Sequence, residues 1–155
     1  MKLQKLIYYA HGWCLALTNK PLINEQVEAW QWGPVIPSVY HEFKACGNAP
    51  IKGSRYTDVT VVPRGSDGKP KFLFSKPTLD ESTAEGKTAK SIVDKVWSEY
   101  NKFSAIQLSA MTHRPGSPWD ITWNKNGGSA RRGTDIPQET IRAHFSRATT
   151  GTPND

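Results

Sequence analysis

Hydrophobic residues near the start of the chain repeat with the period of an α-helix. Six of them, mostly three or four residues apart, form one continuous apolar stripe. They are Leu3, Leu6, Ile7, Ala10, Cys14 and Leu17. The helix is expected to end at Asn19-Lys20, because the residue before Pro21 disfavours the helical conformation.

The next predicted elements lie on either side of a glycine–proline pair. Residues 27–32 are rich in aromatic and branched side chains, which predicts a short extended segment. Gly33-Pro34 is expected to break this segment. Pro37 is suited to the first turn of a following helix, and Gly47 is expected to end that helix.

Residues 49–76 have no helical periodicity. Prolines, glycines and serines alternate there with two short runs of branched and aromatic residues, Thr57–Val62 and Phe72–Phe74. The sequence SDGK at 66–69, between the two runs, is typical of a tight turn. This region is therefore predicted to form a β-hairpin or an irregular excursion.

The following segments are again helical in pattern. Thr78 with Glu81 predicts a capping box, and Ser104 with Gln107 predicts a second one. The helix after the first box is expected to bury a face formed by Ala89, Ile92, Val93, Val96, Trp97 and Tyr100. The helix after the second box is expected to run through Ile106, Leu108 and Met111 and to end in the sequence HRPGSP.

Two shorter helical segments complete the pattern. Ser117 is expected to cap a helical turn that places Trp119 in the core, and Asp120 is expected to hydrogen-bond locally. A last helix is predicted from Pro137, with its apolar face marked by Ile141 and Phe145.

Together these elements predict a mainly α fold. We expect a single compact helical domain at residues 1–148 with a small β-hairpin excursion, followed by a frayed tail at 149–155. With 155 residues, of which 37% are hydrophobic and 22% charged, the chain is large enough to bury a core. It has no apolar run of membrane-spanning length and no signal-peptide pattern, and Cys14 and Cys46 suit a reducing compartment. We therefore expect a cytoplasmic location.

The chain carries a net charge of +6 and has a pI near 9.4, which raises the possibility of a nucleic-acid partner. No run of lysines or arginines exceeds two residues, so the pattern favours a solvated surface over a stripe that follows phosphates. A nucleic-acid-binding regulator remains an alternative. It would use Arg131, Arg132, Arg142 and Arg147.

The sequence contains no recognised catalytic or metal-binding motif. The histidines are His11, His41, His113 and His144, and none has a second histidine or cysteine at a typical ligand spacing. No nucleophile elbow, phosphate-binding loop or dinucleotide fingerprint is present. We therefore expect no enzymatic activity, no metal and no cofactor.

Two long motifs resemble one known family. The first is KLQKLIYYAHGWCLAL followed by KPLI and EAWQWGPVIPSVYHEFK, and the second is LSAMTHRPGSPWDITW. They resemble the Panacea antitoxin domain, whose members include SocA-like antitoxins and phage-associated GepA-like proteins. The resemblance extends from Leu3 to about Phe145. Members usually carry a short helical segment before the first motif, so we expect this domain to lack that helix.

The resemblance implies a function in protein binding. The chain is expected to be an antitoxin that neutralises a cognate protein toxin by direct binding, in some members as an adaptor that delivers the toxin to an AAA+ protease. An alternative is a phage or mobile-element effector that binds and inhibits a host or defence protein. A membrane partner is not expected.

The partner-binding residues are expected among the aromatic and basic positions of the two motifs. Lys5, Tyr8 and Tyr9 are predicted to lie on an exposed flank of the first helix, near Trp13. Further candidates are Trp13, Trp30, Trp32, His113 and Arg114. For the tryptophan pair a place in the core is also open, and for His113 and Arg114 a structural role at a helix end.

Overall fold

A computed structural model of the chain describes residues 1–47, 49–51, 58–62, 71–75, 78–131 and 133–149. The α-helices in this part of the chain are α1 (Lys2–Thr18), α2 (Pro37–Phe43), α3 (Ala84–Tyr100), α4 (Ala105–Thr112), α5 (Pro118–Asp120) and α6 (Gln138–Thr149). Short 3-10 helices cover Lys44–Cys46 and Gly128–Ala130, and a π-helical turn covers Ile121–Lys125. The strands are β1 (Val27–Trp30), β2 (Gly33–Val35), β3 (Asp58–Val62), β4 (Lys71–Ser75) and β5 (Thr134–Ile136). The predicted mainly α fold is confirmed.

Helix α1 lies at the centre of the fold and contacts α3, α4, α6 and β2. The predicted apolar stripe is only part of its buried surface, because polar and aromatic residues on its other faces are buried too. Leu17, at the C-terminal end of the stripe, is instead 60% exposed. A helix enclosed on several sides buries more than one face, and its local sequence pattern underestimates this.

Two small antiparallel sheets accompany the helices. The first has the order β2-β1-β5, with Trp30 paired with Gly33 and Val27 paired with Ile136. The prediction that Gly33-Pro34 breaks the extended segment is wrong, because Gly33 begins the second strand of a hairpin. Strand β5 was not predicted, since three residues carry too short a pattern to recognise.

The predicted hairpin in the middle of the chain is confirmed for the described residues. Strands β3 and β4 pair antiparallel, with Asp58 opposite Ser75 and Val62 opposite Lys71. Thr57 and the SDGK turn lie outside the described residues. So does the predicted tail at 149–155 except for Thr149, which is the last residue of α6.

Most predicted helix ends are confirmed by local hydrogen bonds. Asn19, in the left-handed conformation at φ 57°, ends α1, and Pro37 occupies the first turn of α2. The capping box of α4 is present, with Gln107 N donating to Ser104 Oγ at 3.2 Å and Ser104 N donating to Gln107 Oε1 at 2.8 Å. Ser117 likewise caps α5, accepting from Asp120 N at 3.1 Å.

The predicted start and buried face of the long helix α3 need correction. Thr78 and Glu81 form no capping box, because α3 begins at Ala84 after Thr83, whose Oγ1 accepts from Gly86 N at 3.0 Å. Val93 and Trp97, predicted to be buried, are 37% and 58% exposed. Since α3 packs mainly against α1, only the stripe through Ile92 and Val96 is fully buried.

Candidate protein-binding surface

A two-residue turn joins β1 to β2 and carries an exposed tryptophan. Trp30 and Gly33 are the last paired residues, and Gln31 and Trp32 lie between them. Gly33 has φ +99°, which lets the chain reverse while Trp32 keeps a negative φ. The side chain of Trp32 is 69% exposed, whereas Gly33 and Pro34 are buried. We call residues 30–34 the Trp32 turn.

A buried lysine from α1 holds the backbone of the Trp32 turn. Lys5 is 1% exposed, and its Nζ donates to the carbonyl oxygen of Trp32 at 2.8 Å and to that of Pro34 at 3.0 Å. The preceding residue, Gln4, pairs with both backbone groups of Ile36, donating to its oxygen at 2.9 Å and accepting from its nitrogen at 3.0 Å. Consecutive residues of α1 therefore fix β2 and the turn before it.

Side chains from the second motif bind the same turn. Ser109 Oγ, on α4, donates to the carbonyl oxygen of Trp32 at 3.1 Å. Trp119 Nε1, on α5, donates to the carbonyl oxygen of Trp30 at 2.7 Å. The ring of His113 lies 3.9 Å from that of Trp119, between centroids, and its Nδ1 is 2.6 Å from the carbonyl oxygen of Ser109. The turn is thus anchored from three helices while the Trp32 side chain remains exposed.

The amino group of Lys5 is buried away from water, against two backbone carbonyl oxygens. Burial lowers the pKa of Lys5 to about 7, and among the described residues it forms no ion pair. A neutral amine still has two N–H donors, which matches the two carbonyl oxygens that Lys5 contacts. The hydrogen bonds to the turn therefore do not depend on the positive charge.

The prediction that Lys5, Tyr8 and Tyr9 lie on an exposed flank of the first helix is wrong. The two tyrosines are 2% and 7% exposed, because α3 and α6 cover this side of α1. Tyr9 stacks on Tyr100 with ring centroids 4.4 Å apart, and Tyr8 meets Phe145 edge to face at 5.9 Å. These three side chains hold the fold together and offer almost no surface to a partner.

The other predicted residues have different environments. Trp13 is half-buried and donates from Nε1 to the Tyr100 hydroxyl at 3.2 Å. Trp30 is also half-buried and donates to Glu28 Oε2 at 2.6 Å. Trp32 is exposed, so the core interpretation is wrong for this residue.

The two basic candidates lie at the C-terminal end of α4. His113 is half-buried and supports the Trp32 turn, whereas Arg114 is exposed. The predicted structural role of His113 at the helix end is thereby confirmed, and whether either residue contacts a partner stays a prediction.

A second apolar surface lies between α1, α3 and α4. It is a groove of about 570 Å³ whose floor includes Trp13, Val96 and Met111. Its rim carries Lys95 and Lys102, which share the carboxylate of Glu99 at 2.8 and 4.0 Å.

The described residues contain no cluster of three or more potential metal ligands.

The arginines of the nucleic-acid alternative are separated along the C-terminal part of the chain. Arg142 is paired with Glu139, its Nη2 lying 2.7 Å from Oε1 and its Nε 2.9 Å from Oε2. Arg131 is exposed and Arg147 is in the last turn of α6, while Arg132 lies outside the described residues. This alternative therefore stays a prediction.

Comparison with known proteins identifies the family. The model of the "Antitoxin SocA-like, Panacea domain" family matches residues 3–120. The chain belongs to the SocA-like Panacea antitoxin family. The curated protein Antitoxin SocA from Caulobacter vibrioides (strain NA1000 / CB15N) is 32% identical over 145 residues, which cover 94% of this chain and 70% of that protein. No solved structure matches the chain.

The residues matched by the Panacea family model include every side chain that anchors the Trp32 turn. Lys5 comes from its first motif, and Ser109 and Trp119 come from its second. Helix α6 lies beyond the matched residues but packs against α1. None of the described helices of this Panacea domain has the length and apolar character needed to cross a membrane.

Sequence reasoning missed that Gln4, Ser109 and Trp119 act on this turn. These residues form hydrogen bonds with groups 32, 77 and 89 positions away in the chain. No local pattern encodes such a partner. The available signal was the presence of both motifs in one chain, since a shared fold would bring them together.

Proposed function

We propose that this chain neutralises a protein toxin by binding it directly and covering its active surface. Membership of the Panacea antitoxin family supports an antitoxin role. The observation that carries the proposal is the exposed tryptophan on an anchored turn, formed where the two family motifs meet.

Direct binding fits the surface better than catalysis does. Tryptophan is enriched among the residues that dominate protein interfaces, and it contributes most when the surrounding backbone is already ordered. Trp32 meets both conditions, and the apolar groove beside α3 adds a second surface for contact. The basic charge of +6 would further favour an acidic partner surface.

Co-expression with the neighbouring gene tests this function. The neighbouring gene product is expressed alone and then with the full chain, and growth and affinity capture at moderate salt are measured. We expect toxicity that the chain relieves, together with a complex of fixed stoichiometry. Absence of toxicity, or rescue without a complex, would contradict the proposal.

The lifetime of the toxin separates occlusion from delivery to a protease. Under occlusion the toxin persists in the complex, and its half-life after translation arrest is unchanged or longer. If the chain is an adaptor for a AAA+ protease, the half-life shortens only when chain and protease are both present. The same measurement in a protease-deficient strain provides the control.

A further inference from the structure

The exposed indole of Trp32 has an unusual combination of properties. Its side chain is 69% exposed, and among the described residues its Nε1 has no hydrogen-bond acceptor. The carbonyl oxygens of Trp30, Trp32 and Pro34 are nevertheless bound by buried side chains, and Lys5 donates to the last two of them. An apolar side chain is thus presented to solvent on backbone that is already ordered.

The anchoring is a costly arrangement for a turn that had only to connect two strands. Burying a lysine without an opposite charge is unfavourable, which accords with the lowered pKa of Lys5. The turn is fitted closely to this lysine, because a Cβ on Gly33 would lie 2.5 Å from Lys5 Nζ. A hairpin that only connects two strands needs neither feature.

We infer that Trp32 is the anchor residue of the toxin interface, and that Lys5 is a positioning residue which holds it ready to bind. The matching site on the toxin is an apolar pocket large enough for an indole, with a hydrogen-bond acceptor for Nε1. This inference rests on the proposed function. The free energy of binding is favourable because a large aromatic side chain is buried without the entropic cost of first ordering its backbone.

Trp97 provides a matched control because it is also exposed, at 58%. It lies on α3, where regular helical hydrogen bonds hold the backbone and no buried side chain from another element is needed. Replacing either tryptophan with alanine removes a similar exposed area. Comparing the two variants therefore distinguishes a specific contact at Trp32 from nonspecific binding through any exposed apolar side chain.

The experiment measures toxin binding by the purified full chain and its variants, using the toxin found by co-expression. We expect W32A to bind at least about 30-fold more weakly and W97A to stay within about threefold of the parent chain. Trp32→Phe keeps an aromatic ring but loses the N–H, so we expect an intermediate loss. Thermal unfolding checks that each variant is folded.

The outcomes distinguish this inference from the proposed function. If the parent chain binds no toxin, both are overturned. If it binds and W32A binds equally well, or W97A loses as much as W32A, the function stands and the anchor is overturned.

Lys5 is tested by a variant that keeps its packing volume. In Lys5→Met the carbonyl oxygens of Trp32 and Pro34 lose their donor. We expect faster amide hydrogen exchange confined to residues 31–33 and about tenfold weaker toxin binding, with a faster dissociation rate. Unchanged exchange at the turn, or unchanged binding despite faster exchange, would overturn the positioning role.

Discussion

Gly12 on α1 lies directly beneath the aromatic ring of Phe145 on α6. A Cβ added to Gly12 would come within 2.3 Å of Phe145 Cε2, far closer than packed carbon atoms approach one another. Phe145 is 3% exposed and its ring also meets Tyr8, Tyr9 and Trp13 edge to face. The absence of a side chain at position 12 is therefore what allows α6 to pack against the central helix.

Replacing this glycine with alanine is expected to destabilise the fold. Overpacking in Gly12→Ala costs about 1–3 kcal/mol, which exceeds the gain of up to about 1 kcal/mol in helix propensity. Urea denaturation measures the change in the free energy of unfolding. In the Phe145→Leu background the same substitution is expected to cost less, because the ring that it meets is gone. Equal stability of Gly12→Ala and the parent chain would contradict this packing.

The buried lysine predicts a rise in stability with pH. The pKa of Lys5 is about 7 in the folded chain and 10.5 in the reference state, so the unfolded chain binds more protons between these values. The free energy of unfolding therefore rises by up to about 1.4 kcal/mol per pH unit from about pH 7.5 to 9.5. Burial raises the pKa of both Tyr8 and Tyr9, so stability falls again above about pH 10.

The measurement is a series of urea denaturations from pH 7 to 11 on the parent chain and on Lys5→Met. The variant is expected to lose the rise between about pH 7.5 and 9.5, since it has no titrating group at this position. Lys87→Met, at an exposed position of α3, is the control and should retain the rise. If the free energy of unfolding still rises with pH in Lys5→Met, a group other than Lys5 causes the rise.

A buried histidine predicts a loss of stability in mild acid. His11 is fully buried, its Nδ1 accepts from Ile23 N at 3.4 Å, and burial lowers its pKa to about 4. The unfolded chain binds a proton near pH 6.5 that the folded chain binds only near pH 4. Stability is therefore lost as the pH falls through this window, by up to about 3 kcal/mol.

Nuclear magnetic resonance of the imidazole groups checks this directly. In the folded chain, the His11 signals should show a neutral ring with the proton on Nε2 down to about pH 5. This should hold even at pH values where part of the protein has already unfolded. His41→Gln, at an exposed position, is the mutational control for the acid unfolding curve. Titration of His11 near pH 6.5 in the folded chain would contradict the prediction.

The start of α3 offers a direct contrast between two threonines. Thr83 caps the helix by accepting from Gly86 N, whereas Thr78 is exposed and lies before the first turn. We expect Thr83→Ala to lower the free energy of unfolding by about 1 kcal/mol, and Thr78→Ala to change it by less than about 0.5 kcal/mol. Comparable losses in the two variants, measured by urea denaturation, would place the start of the helix earlier.

The same contrast explains where sequence reasoning succeeded and where it did not. The capping box of Ser104 and Gln107 was predicted correctly because both partners lie within one turn of chain. The box assigned to Thr78 and Glu81 had the same spacing and the same classes of residue but was wrong, since Asp80 and Thr83 offered a competing local arrangement. Short motifs thus predict a helix start reliably only when no rival cap is close by.

The candidate binding surface shows a similar division. Family membership and the aromatic character of the first motif were readable in the sequence, and both pointed to protein binding. Which aromatics face solvent was not readable. Tyr8 and Tyr9 became core because α3 and α6 cover α1, while Trp32 became exposed because a hairpin displays it.

The sequence by itself determined the helical class, most helix ends and the resemblance to the Panacea antitoxins, because these depend on residues close together in the chain. Only the tertiary structure decided that Lys5 lies beneath Trp32 and that Trp119 reaches Trp30. Those pairs are 27 and 89 residues apart, and their hydrogen bonds form only when α1, α4 and α5 pack around the β1–β2 hairpin. Contacts between distant segments are set by the packing of whole elements, which no local pattern of residues contains.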